Sequence, residues 1–222
     1  MAVKTVKASI NGQEYTLTYD EVSGSYKATI TAPSKSSYNN NDGHYYPVSV
    51  TATDDAGNST TVTDTDVTFG DDLKLKVKEK VKPIIAVTYP TASATITSAT
   101  PTITWTVTDD DSGIDEATIA IKIDSGTYVT SGITTTAITK GFNCSYKIPT
   151  SLSNGAHSFS LKVSDHDGNA ATEVVTSFTV DTVPPALTIT SPADGLITNK
   201  ESLTVSGTTN DVTSTPVTVT VN

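Results

Sequence analysis

The sequence of 222 residues contains no arginine, and all fourteen of its basic residues are lysines. Arginine is the side chain best suited to bidentate contacts with phosphate and guanine. The net charge is −10, whereas a nucleic-acid surface needs a cationic face. We therefore expect no nucleic acid among the partners of this protein.

Cysteine and long apolar runs are also scarce. The single cysteine, Cys144, cannot form a disulfide within the chain, so the hydrophobic cores must hold the fold together. No stretch approaches the length of a membrane span, and membrane insertion is not expected. The segment from Met1 to Ile10 lacks the basic start and apolar run of a secretory signal. Either a signal was removed, or the protein reaches its place of action without one, as a virion component would.

Catalytic motifs are missing as well. The three histidines, His44, His157 and His166, lie outside any HExxH, GxSxG or metal-spaced pattern. A carboxylate pair for glycoside cleavage remains an alternative, because such pairs are assembled in space and not in sequence. We predict no catalytic residue and no enzyme activity.

What the sequence does contain is typical of β-strands. Threonine fills about one position in five, and Thr, Val, Ile and Tyr suit a pleated, half-buried surface. Alternation predicts that Ile103, Trp105 and Val107 face inward, with threonines between them facing out. The same pattern makes Cys144 a small core residue rather than a reactive thiol.

Two repeats indicate the domain organisation. The stretches "VTATDDAGNSTTVT" and "LKVSDHDGNAATEV" share a strand, an Asp-x-x-Gly-Asn turn and a second strand. Gly57 and Gly168 are expected to supply the positive φ of these tight hairpins. A second repeat places Pro185 and Pro192 in the positions of Pro83 and Pro90. Two modules therefore start about a hundred residues apart, which is the size of an immunoglobulin-like sandwich.

These repeats divide the chain into three modules. We predict an N-terminal β-sandwich over residues 1–82, an immunoglobulin-like sandwich over 83–182, and an incomplete third module over 183–222. Strands are expected near 186–190, 202–207 and 216–221 in the third module, too few to cover their own apolar face. We therefore expect the natural protein to continue beyond Asn222, or another chain to complete this unit.

Several segments resemble the bacterial immunoglobulin-like domain family. They are the "ATDDAGN" and "VSDHDGN" hairpins, "TDDDSGID" leading into "ATIAIKIDSG", and the "VDTVPPALTITSPADG" junction. The resemblance covers residues 83–222 well and residues 1–82 mainly through the hairpin. It implies tandem sandwich modules of the kind found in bacterial surface proteins and phage tail modules, and it carries over no catalytic residue.

A lysine stands at every second position of "LKLKVKEKVKP". Period-two spacing predicts a strand with these ammonium groups on one face and Glu79 as the one acid among the inward positions. Lysines on an edge strand prevent pairing between sheets, and we favour this role over polyanion binding. The predicted edge-strand residues are Lys74, Lys76, Lys78 and Lys80.

The acidic cluster in "TDDDSGID" presents the carboxylates that hard cations prefer. Its residues are Asp109, Asp110, Asp111 and Asp115. Asp165 and Asp167 on a neighbouring loop, and Asp181 in a linker, are candidates to add ligands. The spacing is not that of an EF-hand, and Asp, Ser and Gly are common in turns. Calcium is thus the one cofactor considered, and a solvated turn is the favoured alternative.

The loop "SSYNNNDGHYYP" combines tyrosine, asparagine and histidine in the proportions of an antibody paratope. Its candidate contact residues for a glycan or a partner protein are Tyr38, Asn40, His44 and Tyr45. The alternative is a flexible loop that precedes a strand beginning at a buried Tyr46.

The sequence therefore predicts an all-β protein of tandem immunoglobulin-like sandwiches with a non-enzymatic structural and adhesive function. The expected location is a phage virion or the extracellular surface, with other virion or cell-surface proteins and envelope glycan as partners. The alternative is a bacterial cell-surface adhesin or surface-layer spacer that binds glycan.

Overall fold

A computed structural model describes residues 2–210 of the chain. Its elements are β-strands apart from one short 3-10 helix, Gly70–Leu73. No helix within residues 2–210 is long and apolar enough to cross a membrane.

Six strands make up the N-terminal region. They are β1 (Val3–Ile10), β2 (Gln13–Asp20), β3 (Ser25–Lys27), β4 (Tyr46–Asp54), β5 (Ser59–Val62) and β6 (Lys74–Leu75). The strand order is β3-β2-β1-β4-β5, and β6 also pairs with β4. These pairings connect all six strands through β4. β4 pairs with β1 and β5 over its later residues and with β6 at its first two residues.

A two-residue turn joins the first two strands of this sheet. Asn11 and Gly12 adopt positive φ between β1 and β2, as a two-residue hairpin turn requires. Val6 and Ile10 are buried on β1, and Tyr46 is only 5% exposed at the start of β4. The expectation that Tyr46 begins a strand in a buried position is confirmed.

The central region contains eight strands in two sheets. They are β7 (Ile84–Tyr89), β8 (Thr95–Ile96), β9 (Thr102–Thr108), β10 (Ile114–Ile123), β11 (Ile133–Ile138), β12 (Gly141–Lys147), β13 (Gly155–Asp165) and β14 (Val174–Val180). One sheet has the order β10-β13-β14-β8 and the other β11-β12-β9-β7. Both sheets contribute to one hydrophobic core, so this region is a β-sandwich.

The core of the sandwich follows the predicted alternation. Ile103, Trp105 and Val107 are at most 1% exposed, and they pack in one cluster with Phe159 and Phe178 of the facing sheet. Fully burying each large apolar side chain stabilises the fold by about 1.5–3 kcal/mol. The prediction of an inward-facing β9 is confirmed.

Cys144 belongs to the same core and is 3% exposed. Burial raises the pKa of its thiol to about 11, which keeps it protonated and unreactive at neutral pH. Its prediction as a small core residue is confirmed.

The two Asp-x-x-Gly-Asn hairpins have matching hydrogen bonds. Asp54 accepts bonds from the backbone and side chain of Asn58, and Asp165 accepts the same two bonds from Asn169. Gly57 and Gly168 have φ of 90° and 92°, which confirms their predicted role.

The C-terminal region has two described strands, β15 (Leu187–Ser191) and β16 (Ser206–Thr209), which pair antiparallel. The second begins later than the predicted 202–207. The third strand, expected near 216–221, lies outside the described residues.

Candidate functional site

The lysine-rich stretch forms a strand only at its start. β6 ends at Leu75, and residues 76–83 have no strand partner. The edge-strand prediction therefore fails for Lys76, Lys78 and Lys80, and only Lys74 lies in a strand. We call residues 76–82 the connecting segment, because they join the N-terminal sheet to the sandwich.

The connecting segment bonds to turns and loops instead of a neighbouring strand. Val77 O accepts bonds from Ser37 N at 2.9 Å and Ser37 Oγ at 3.1 Å, and Val77 N donates to Ser37 Oγ at 3.1 Å. Glu79 N donates to Asp167 Oδ2 at 2.9 Å. Exposure still alternates here without a sheet: Lys78 and Lys80 are exposed while Glu79 is 8% exposed.

Two lysine side chains of this stretch contact other residues of the chain. Lys74 Nζ lies 2.7 Å from Asp71 Oδ1, and Lys78 Nζ donates to Asp167 O at 3.0 Å. The Lys74–Asp71 pair lies at the surface, where water screens the attraction and little stability results. Lys78 instead helps to attach the connecting segment to the hairpin of the sandwich.

The tyrosine- and asparagine-rich loop packs against the sandwich, and we call residues 36–45 the docking loop. The Tyr38 ring stacks between the imidazoles of His44 and His166, with centroid distances of 4.1 and 4.0 Å. Asn39 Nδ2 donates to Asp111 O at 2.7 Å, and Ser36 N lies 3.2 Å from both Asp111 carboxylate oxygens. Both faces of Tyr38 are therefore covered, and the ring is not free to stack on a sugar.

The other candidate contact residues of the loop are engaged within the N-terminal region. Asn40 Nδ2 donates to Tyr45 O at 2.8 Å, and His44 Nδ1 contacts Tyr38 O. Tyr45 OH donates to Asp64 Oδ2 at 2.9 Å, and this bond to a carboxylate raises the pKa of the Tyr45 phenol. These bonds shape the loop so that Tyr38 reaches His166.

The four carboxylates of "TDDDSGID" do not converge. Asp109 is 6% exposed, whereas Asp110 is exposed and pairs with Lys140 at 2.7 Å, which lowers the pKa of Asp110. Asp111 faces Ser36 of the docking loop, and Asp115 accepts a bond from Ala117 N of its own strand, β10. Of these four carboxylates, only Asp109 points into a buried cluster.

Asp109 meets two carboxylates that are distant in sequence. Among residues 2–210, the only set of three or more His, Cys, Asp or Glu with ligand atoms within 4.8 Å of one another is Glu79, Asp109 and Asp165. We call this set the carboxylate triad. Glu79 comes from the connecting segment, Asp109 follows β9, and Asp165 ends β13. All three are buried, with Asp165 only 2% exposed.

Hydrogen bonds satisfy most of the triad's oxygens. Asn169 Nδ2 lies 2.8 Å from Asp165 Oδ2 and 3.2 Å from Glu79 Oε1, and Ser112 Oγ donates to Glu79 Oε1 at 3.3 Å. Asp109 Oδ1 accepts bonds from Asp111 N and Gly113 N. Asp109 Oδ2 is the exception: within the described part of the chain, it is the one buried side-chain N or O atom with no hydrogen-bond partner.

Three buried carboxylates repel one another. None of the ion pairs described for residues 2–210 involves Glu79, Asp109 or Asp165. Burial, followed by the side-chain hydrogen bond with Asp165, raises the pKa of Glu79. A buried charge without a partner is unfavourable, so this cluster needs a proton or a cation.

Family models match each region of the chain. A model described as "Bacterial Ig-like domain" matches residues 87–182, and another of the same description matches residues 2–71. A third, described as "Glucodextranase, domain B", matches residues 185–222. No curated protein matches the chain.

Several solved structures are similar to the chain. CopC from Methylosinus trichosporium OB3b is 22% identical over 44% of this chain and 94% of that one, with a TM-score of 0.34. The fibronectin(III)-like modules of Clostridium thermocellum CbhA are 19% identical over 80% and 78% of the two chains, with a TM-score of 0.35. For the titin I-band fragment I67-I69 the identity is 12%, the coverage 89% and 72%, and the TM-score 0.45.

These TM-scores are low, so the family assignment rests on the two Ig-like models. Those models cover the N-terminal sheet and the central sandwich, the two regions that meet at the docking loop. The chain carries tandem bacterial immunoglobulin-like domains.

Proposed function

We propose that the chain is a non-enzymatic structural and adhesive array in which the first two domains are held in a defined orientation. We further propose that it acts as a tail- or surface-associated protein of a phage virion, where it spaces domains and contacts the host envelope. Its partners there are other virion proteins and envelope glycan. The observation that carries the positioning function is the bonded junction between the first domain and the sandwich.

The junction uses two segments of the first domain on one end of the second. The docking loop supplies the Tyr38 stack on His166 and the Asn39 bond to Asp111. The connecting segment supplies bonds from Glu79 and Lys78 to Asp167.

Each hydrogen bond contributes about 0.5–1.5 kcal/mol net, and a ring stack a similar amount. Domains joined by a linker alone move relative to one another by default. Several such contacts together favour one orientation, which is what a spacer requires.

The shared orientation is tested by residual dipolar couplings on the chain in a weakly aligned medium. We expect couplings from both domains to fit one alignment tensor, because the junction couples their motion. In the double variant Tyr38→Ala/Asn39→Ala, the two domains are expected to need tensors that differ in magnitude by about twofold, because the ring stack on His166 and the Asn39 bonds to Asp111 and Ser112 are lost.

Tyr19→Ala is the matched control, because Tyr19 is 56% exposed on β2 and its ring contacts Tyr26 of the same sheet. It should leave the single tensor unchanged. Two different tensors in the unmodified chain would contradict the positioning function.

The virion location is tested by immunogold labelling with an antibody against this chain. Purified phage particles and intact host cells from the same source are labelled in parallel. We expect gold on the particles, at least about tenfold above a pre-immune control. Label confined to the cells would contradict the virion assignment and would favour a cell-surface adhesin or surface-layer spacer.

A further inference from the structure

We propose that Glu79, Asp109 and Asp165 bind a calcium ion at the junction between the two domains. This deepens the proposed function, because the ion would attach the connecting segment to the sandwich. Asp109 belongs to the acidic cluster that the sequence indicates, and Asp165 was a candidate additional ligand, whereas Glu79 was not predicted as a ligand.

Geometry is the first reason for this assignment. Ligand oxygens of the three carboxylates lie within 4.8 Å of one another, a separation that one cation can bridge with oxygen contacts of about 2.3–2.6 Å each. The residues come from three separate segments, so their convergence is a product of the fold.

The second reason is the unpartnered oxygen. Asp109 Oδ2 has no hydrogen-bond partner, although the residue is 6% exposed and its other oxygen accepts two backbone bonds. Nearly all buried polar atoms in folded proteins are hydrogen-bonded, and an exception calls for an explanation such as an ion. A cation between the three carboxylates supplies the missing partner and cancels most of their charge.

The chemistry of the site favours calcium over softer metals. All three side chains offer oxygen, and Ser112 Oγ adds a neutral oxygen 3.3 Å from Glu79 Oε1. The nearest imidazole on this hairpin, His166, is stacked on Tyr38, and Cys144 lies in the core. Zinc and copper prefer nitrogen and sulfur ligands, whereas a set of oxygens suits calcium, which accepts irregular geometry more readily than magnesium.

Calcium would link the two domains through its ligands. Glu79 belongs to the connecting segment, while Asp109 and Asp165 belong to the sandwich. Binding only to the docked arrangement would stabilise that arrangement in proportion to calcium concentration.

The test uses the whole chain, stripped of metal with EDTA and dialysed, and then titrated with calcium chloride by isothermal calorimetry. We expect one ion per chain and a melting temperature that rises with calcium. Asp109→Asn should weaken binding by at least about tenfold, because one of three charged ligands becomes neutral. Asparagine retains an oxygen for the Asp111 and Gly113 N–H bonds, so the loop should keep its shape.

Asp110→Asn is the matched control, since Asp110 is the exposed neighbour of Asp109 and should leave calcium binding unchanged. The two variants should also differ in EDTA. There Asp109→Asn should melt at a higher temperature than the parent, because it removes one of three repelling buried charges, while losing the rise with calcium.

Several results would overturn the proposal. They are no heat and no thermal shift at millimolar calcium, equal affinity for magnesium, or loss of binding in Asp110→Asn with retention in Asp109→Asn. None of these results would contradict the prediction of one alignment tensor, because that prediction depends on the hydrogen bonds and the ring stack. Failure of the calcium site and failure of the positioning function are therefore distinguishable.

Discussion

Trp105→Ala is expected to lower the free energy of unfolding of the sandwich domain by about 3–5 kcal/mol. Trp105 is 1% exposed and packs in the core shared by the two sheets. Its removal leaves a cavity that neighbours on rigid strands cannot fill. Because total stability of a domain is about 5–15 kcal/mol, a loss of this size leaves the domain close to unfolding.

The measurement is urea unfolding followed by far-UV circular dichroism. Tryptophan fluorescence cannot serve, because Trp105 is the chain's single tryptophan. Thr102→Ala, at an exposed position of the same strand, is the control and should change stability by less than about 0.5 kcal/mol. A loss under about 1 kcal/mol in Trp105→Ala would show that this residue does not anchor the core.

Gly141→Ala is expected to destabilise the same domain by about 3 kcal/mol, because the added methyl group overpacks a strand interface. A Cβ at Gly141 would lie 1.9 Å from Val107 O and 2.9 Å from Thr108 Cα. Both atoms belong to the backbone of β9, which pairs with β12 through Gly141 and Thr108. Relief therefore requires the two strands to move apart.

Asn143→Ala on the same strand is the control for this substitution, since Asn143 is exposed. Urea unfolding gives the magnitude, and hydrogen exchange of the β9 and β12 amides should be faster in Gly141→Ala alone. Equal exchange in the two variants would show that the strands accommodate the methyl group.

The sandwich was predictable from sequence because its strands have a clear period of two. Thr102 to Thr108 alternates small polar residues with Ile103, Trp105 and Val107, and burial follows that alternation. The positive φ of the two hairpin glycines was also predictable, because the turn requires a conformation that glycine adopts without strain.

The strand prediction failed in the connecting segment because alternating exposure of side chains does not require a sheet. Lys78, Glu79 and Lys80 alternate in exposure, but their segment is held by Ser37 and by the Asp167 hairpin. Sequence period reports which side chains face inward. It does not report which groups complete the backbone hydrogen bonds.

Local sequence patterns could not predict the carboxylate triad, because its three residues are far apart in sequence. The adjacent aspartates Asp109, Asp110 and Asp111 point in different directions, as residues of a tight turn do. One signal was present: Glu79 is an acid at an inward position, and a buried carboxylate requires a partner. The sequence also suggests that Asp165 lies at the same end of the sandwich as Asp109. Together, these two observations indicate that Glu79 joins the two aspartates.

The contacts of the connecting segment also affect how fast a protease can cleave the chain. Exposed lysines at 76, 78 and 80 are cleavage sites for trypsin, but Val77 and Glu79 have their backbone groups engaged. A protease binds its substrate as a free extended strand, so cleavage here must wait until the junction opens. When opening and closing are fast relative to cleavage, the rate of cutting measures how much of the time the two domains are apart.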